Sequence, residues 1–178
     1  VFDVDKDVNK TVAKLFKVKR FGSLRGVLTS PEVDAVYIAT PANLHAKLAI
    51  ACAKAGKHVL CEKPLGLTVR ESQRMVEACA QAGVTLGTAF MMRTSAQHQA
   101  ALTMVARGDL GKLVYGRAQL SCWYPPIAGA WRQDPKLGGG GSLIDMGGHC
   151  IDLLEMYFGE VKAVTCRTAN LVHAYASE

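Results

Sequence analysis

Asp145, His149 and Asp152 fall inside G-G-G-G-S-L-I-D-M-G-G-H-C-I-D, residues 138–152. On an α-helix, spacings of four and three residues put all three on one face. A carboxylate beside an imidazole fixes its tautomer and raises its basicity, as a general base near neutral pH requires. A buried His–Asp pair that stitches two domains together is the other account of D-x-x-x-H, and the better one for that motif alone. Glycine inside a helix costs about 1 kcal/mol relative to alanine, so Gly147 and Gly148 point to something that approaches the backbone closely. A second set lies in H-V-L-C-E-K-P-L-G, residues 58–66, where an apolar strand runs into Glu62, Lys63 and Pro64. Considered alone, Lys63 is a solvated charge before a proline turn. Asp145, His149 and Asp152 lack a second histidine or a distant ligand cluster, so no metal is expected. Cys150 points a different way along the helix from His149, which argues against a Cys/His nucleophile.

The elements that must position these groups alternate through the first half. Residues 1–4 read as the end of a strand and residues 7–16 as an amphipathic helix. A short helix is expected over 24–30. Residues 35–39 form a continuous apolar run of the kind buried on both faces of a parallel sheet. Asn43 is the expected cap of a helix over 44–55, and residues 58–61 are the next strand. Thr68 and Glu71 make a capping box for a helix to Ala82, followed by a strand over 84–89. This rhythm predicts a doubly wound parallel sheet. Beyond about Met92 the pattern changes: a helix over 96–107, an alternating strand over 112–124, a helix over 142–157 capped by Ser142, and a strand over 161–172. The fold class is therefore α/β, an incomplete Rossmann-type doubly wound parallel sheet followed by an incomplete α+β domain with a mostly antiparallel open sheet. The domains are placed at 1–92 and 93–178.

In such a sheet, ligands bind outside the carboxyl ends of the strands. Those ends carry Asp3, Thr40-Pro41, Glu62-Lys63-Pro64 and Phe90 to Arg93. Asp3 suits the carboxylate that accepts ribose hydroxyls, although Asp3, Asp5 and Asp7 alone read better as anions favoured by a first helical turn.

Composition sets the outer bounds. The 178 residues are 49% hydrophobic and 20% charged, with a net charge of +6, which suits a globular chain with a real core. Basic residues are scattered apart from residues 14–20, the solvated end of a helix, and no motif for nucleic acid accompanies them. No apolar stretch is long enough to cross a membrane. Six cysteines without a C-x-x-C pair fit reduced thiols in a cytoplasmic protein.

A-T-P-A-N-L-H-A (39–46), A-G-K-H-V-L-C-E-K-P-L-G (55–66), W-R-Q-D-P (131–135) and G-G-G-G-S-L-I-D-M-G-G-H-C-I-D-L-L (138–154) occur in that order. Together they resemble the Gfo/Idh/MocA family of NAD(P)-dependent oxidoreductases along essentially the whole chain. The resemblance implies an oxidoreductase that moves hydride between NAD(P) and a secondary alcohol or ketone of a sugar, polyol or related compound. It makes Lys63 the residue between nicotinamide and substrate, His149 the acid/base and Asp145 the carboxylate that orients the site. It sets Thr40, Pro41, Asn43 and His45 beside the nicotinamide and its ribose, with Glu62 on that ribose. Trp131 and Arg132 reach over the cofactor, and Arg93 lines the domain junction next to the substrate. A cis bond before Pro64 is expected. Asp3 favours NAD, because a carboxylate repels the 2′-phosphate of NADP, while Lys6 keeps NADP open.

The glycine-rich turn that cradles the pyrophosphate is not in the sequence and is expected upstream of Val1. The chain is accordingly read as an inactive piece of a longer homo-oligomeric enzyme. The competing reading is a non-catalytic nucleotide-binding regulator or sensor on the same fold.

Overall fold

Three short apolar strands set the architecture in the computed structural model, which describes residues 1–173. β1 (Ala35–Ile38), β2 (His58–Cys61) and β3 (Leu86–Thr88) pair in parallel in the order β1-β2-β3. The register sets Tyr37 beside Leu60, Ile38 beside Cys61, and Leu60 beside Gly87. Parallel neighbours need crossovers, and α3 (His45–Lys54) and α4 (Val69–Gln81) supply them. Ala49, Cys52 and Ala53 of α3 and Met75 and Cys79 of α4 close over Ile38, Val59 and Cys61 to form the core. Small side chains on α3 let its backbone lie near both the sheet and α4. The result is the expected α/β class with an incomplete parallel sheet.

β1 is not buried on both faces. Ile38, Val59 and Cys61 are buried, while Tyr37 is 56% and Leu60 45% exposed. Successive side chains of a strand point to opposite faces, so α3 and α4 cover one face and the other stays open at these two residues.

Local chemistry decides where the helices start. Asp5 caps α1 (Lys6–Phe16), its carboxylate accepting the Asp7 and Val8 N–H groups. Thr68 Oγ1 accepts the Glu71 N–H at 3.1 Å, and the Glu71 carboxylate accepts the Leu67 N–H at 2.8 Å. That is the expected capping box, with the glutamate reaching one residue further back. Asn43 does not cap α3. Extended Pro41 starts a 3₁₀ turn at Ala42–Leu44, so the chain is already coiled at Asn43 and the helix begins at His45.

After α2 (Leu24–Thr29) and the sheet come α5 (Ala96–Arg107) and the single turn α6 (Pro135–Gly138). The helix expected over 142–157 is two pieces, a π-helical segment Leu143–Gly147 and then α7 (Gly148–Phe158), and Ser142 makes no side-chain cap. The π segment leaves Ser142 already helical, which removes the extended geometry a cap needs. Two seams join α7 to the first half and to α5. Arg93 Nε donates to both oxygens of Asp152 at 2.8 Å, and His98 Nδ1 lies 2.8 Å from the Tyr157 hydroxyl.

The expected strands at 1–4, 112–124 and 161–172 are not laddered among the described residues. Segments 118–124 and 166–173 line the same clefts, and the Trp123 and His173 rings lie 4.8 Å apart, yet no strand ladder joins them among the described residues. Val114, Tyr115 and Val164 are each about 80% exposed, so the alternation has no buried face to serve. Val1 instead exchanges backbone hydrogen bonds with Lys19 and Phe21. The proposed boundary after residue 92 falls within the 3₁₀ turn Met91–Thr94, and residues 174–178 of the second proposed domain lie outside the described residues.

Met75 has no exposed surface and sits at the centre of the core. Met75→Ala is expected to lower unfolding free energy by about 2–5 kcal/mol, measured by denaturant unfolding; a loss below about 1 kcal/mol would mean this core is loosely packed.

Candidate functional site

The three strands run in parallel, so their carboxyl ends open on one edge of the sheet. The ladder holds that edge in register, with the Glu62 N–H donating to Ile38 O at 2.9 Å and the Ala89 N–H to Cys61 O at 2.8 Å. Beyond it lie Thr40-Pro41, Glu62-Lys63-Pro64 and Phe90 to Arg93. The Lys63–Pro64 bond is cis, as expected.

Lys63 reaches across the molecule to the π segment. Its side chain is only 11% exposed. The ammonium donates to the Asp145 backbone carbonyl at 2.7 Å and to the Asp145 carboxylate. A buried ammonium is tolerable only with an acceptor and a counter-charge, and Asp145 supplies both. Arg132 Nε stands 3.6 Å from the same carboxylate oxygen, and its guanidinium stacks 4.3 Å from the Trp131 ring centroid. Gly138 lets that Trp131–Arg132 turn lie close, since a Cβ there would sit 3.1 Å from Arg132 Cα and Trp131 O. A cleft of about 630 Å3 opens beside the pair, its walls including Trp123, Tyr124, Gln133 and Met146.

His149 is 9% exposed, and its Nδ1 is buried without a hydrogen-bond partner. Its ring stands edge-on to Phe90 at 6.0 Å. The sequence reading put both aspartates at the imidazole, but the structure spends them elsewhere: Asp145 on Lys63 and Arg132, Asp152 on Arg93. The wide π turn explains the first, because i and i+4 no longer stack when a turn takes more residues than an α-turn. Burial lowers the His149 titration below the ordinary 6.5, and the Lys63 charge lowers it further. The imidazole is thereby kept neutral and able to accept a proton. Nothing stands within 4 Å of where a Gly148 Cβ would be, so backbone next to His149 is uncovered.

Glu62 is also engaged. The Tyr37 hydroxyl donates to its carboxylate, and its second oxygen accepts the Lys63 N–H at 3.2 Å. That hydrogen bond pushes Tyr37 up to about 12, so the hydroxyl remains a donor. Sequence reasoning missed Tyr37; its only signal is a place near the end of β1, across the register from the strand that ends at Glu62. Cys61, directly beneath, is pushed up to about 12 by burial and by Glu62, which leaves the thiol inert.

The remaining expected residues divide. Thr40 and Pro41 flank the edge half-buried, and Asn43 is exposed. His45 has no exposed surface, and its ring nitrogens face the Pro64 and Thr40 carbonyls. Asp3 accepts the Asp5 N–H at 2.8 Å, and no hydrogen bond or ion pair among the described residues joins it to the edge. Arg93 bridges the end of the first half to α7 through Asp152. Among the described residues no group of three His, Cys, Asp or Glu side chains could hold a metal ion, and no helix is long and apolar enough to cross a membrane.

The profile described as "Oxidoreductase family, NAD-binding Rossmann fold" matches residues 1–90, and that of the "GFO/IDH/MocA C-terminal domain" matches residues 98–178. The chain is 37% identical over 142 residues to 1,5-anhydro-D-fructose reductase of Ensifer adhaerens, covering 80% of this chain and 43% of the relative. It is 36% identical over 143 residues to levoglucosan dehydrogenase of Pseudarthrobacter phenanthrenivorans, covering 79% and 37%. The chain thus spans less than half the length of these curated relatives. Among solved structures, levoglucosan dehydrogenase in complex with NADH and levoglucosan superposes with a TM-score of 0.77 at 31% identity, over 89% of this chain and 44% of that one. The WlbA dehydrogenase from Bordetella pertussis, in complex with NADH and UDP-GlcNAcA, gives 0.82 at 28% identity, over 99% and 51%.

The lowered titration of His149 has a stated sign. Its folded value lies below the unfolded one, so the unfolded chain takes the proton first and stability falls as pH drops below about 6.5. Lys63→Met removes the second cause, so the His149 midpoint followed by imidazole NMR should move up towards 6.5; a midpoint that stays or drops would contradict the assignment.

Proposed function

The chain belongs to the Gfo/Idh/MocA oxidoreductase family, and from that premise we propose that it is the catalytic core of an NAD-dependent dehydrogenase or reductase. The substrate class is a sugar, polyol or related compound carrying a secondary alcohol or ketone. The observation that carries this reading is a desolvated ammonium, Lys63, meeting Asp145 close to a buried, neutral His149 with an unpartnered nitrogen. An orphaned buried nitrogen beside a cation and an uncovered helix backbone fits a site that a ligand completes.

The residues at the strand ends fit a nicotinamide cofactor: Thr40, Pro41, Glu62 and Lys63 would hold its nicotinamide and ribose. Trp131 and Arg132 would close over it. The cofactor supplies the hydride acceptor or donor when bound. Lys63 hydrogen-bonds the reacting oxygen, where its charge favours the developing alkoxide. His149 takes the hydroxyl proton in oxidation and returns it in reduction. Asp145 holds Lys63 and, with Arg93 nearby, orients the substrate. Relatives named for anhydrofructose, levoglucosan and xylose support the substrate class. Domains at 1–92 and 93–178, a cytoplasmic setting and a homo-oligomer belong to the same reading. Unbridged cysteines support the second and the exposed apolar segments at 112–124 and 161–172 the third.

The test, run on the whole protein, is a sugar panel assayed at the reduced-nicotinamide absorbance band with NADH and NADPH, alongside cofactor titration by fluorescence. Wild type is expected to turn over at least one sugar, and Lys63→Ala to cut kcat by about 10²-fold or more with the cofactor still bound. Binding without turnover on any substrate would favour the regulator reading, and full activity in Lys63→Ala would refute the role of that lysine.

A further inference from the structure

His45 has no exposed surface, and no catalytic step above uses it. It opens α3, whose Ala49, Cys52 and Ala53 are fixed in the core. Its Nδ1 lies 2.8 Å from the Pro64 carbonyl and its Nε2 2.9 Å from the Thr40 carbonyl. Those carbonyls belong to the turns that leave β2 and β1, the turns that carry Lys63 and Pro41. A single rigid ring therefore faces both. A neutral imidazole has one N–H and can donate to only one of these carbonyls, while an imidazolium has two and can donate to both; in either form the ring sits between the two turns and sets their spacing.

We infer that His45 is a positioning residue that couples the turns after β1 and β2 into one unit in front of the proposed nicotinamide site. This goes beyond contact with the cofactor, which its burial excludes, and it rests on the proposed function only in what the coupled turns are for. Lys63 is anchored twice: its ammonium on Asp145, and its peptide neighbour on His45. Removing the ring frees the second anchor while leaving the ion pair, so Lys63 stays in place as a charge but loses its set against Thr40 and Pro41.

His45→Phe keeps the ring volume and removes both contacts, and His45→Gln retains one donor group. Amide exchange by NMR reads the coupling without any ligand. In His45→Phe, exchange at Leu44, which bonds Pro41 O, and at Lys63, which bonds Glu62, is expected to speed up together by about tenfold. Val59, which bonds Thr85 O in the sheet, should not change. His45→Gln should restore protection to one of the two turns. In the turnover assay, His45→Phe should lower kcat by about 10²-fold with the cofactor KM moving less than about threefold, because misplacement costs alignment more than binding. Unchanged exchange at either turn, or wild-type kcat per folded site, would overturn the inference. Wild type that neither binds NADH nor turns over would count against the proposed function, and the exchange measurement would still decide the coupling.

Discussion

A cation taken out of water is the constraint around which the molecule is arranged. Lys63 sits at the end of β2 with its side chain 11% exposed, and an ammonium in that position needs acceptors and an opposite charge. None is available on its own turn except Glu62, which is committed to Tyr37 and to the Lys63 backbone. The partner comes from 82 residues downstream. The strand edge and the π segment are therefore held at a fixed separation by electrostatics that neither half could satisfy alone. The Arg93–Asp152 contact repeats the arrangement further along the same rod, with Asp152 buried and the arginine half exposed. The two seams run in opposite senses of burial, a buried cation in one and a buried anion in the other.

What could be read from the sequence was what local rules govern. The capping box at Thr68, the apolar strands and the helices between them are set by short-range patterns, and their order gives the sheet. Asp145 and His149 were singled out by type and spacing and Lys63 by the family resemblance, and the fold brings them to one place. Their pairing was not legible. An i, i+4 rule presumes an α-turn, and residues 143–147 do not make one, so the carboxylate expected at His149 went to Lys63. Tyr37 was invisible because its partner lies on another strand, and the register that joins them is a tertiary fact. His45 was read as a contact residue because the motif names it, whereas its burial depends on how α3 seats in the core.

The alternating segments at 112–124 and 161–172 show the opposite limit. A period of two states which residues would share a face, but a face exists only when something covers it. Gly116 makes a tight approach in the first segment, with Phe158 Cε2 2.5 Å from where a Cβ would stand; large side chains such as Tyr115 and Trp123 remain mostly exposed.

The wide turn at 143–147 works as a change of gear in one continuous rod. Residues within it and residues after it are out of rotational phase, so Asp145 addresses the strand edge while Asp152 addresses the turn that carries Arg93. A straight α-helix would have forced both carboxylates towards a single neighbour. The rod is thus divided into two independently tunable stretches. Around the fixed Asp145, the residues that face the cleft, such as Met146, can vary with its shape, while the downstream stretch keeps its grip on Arg93 and α5, a separation by which one scaffold can serve differently shaped ligands.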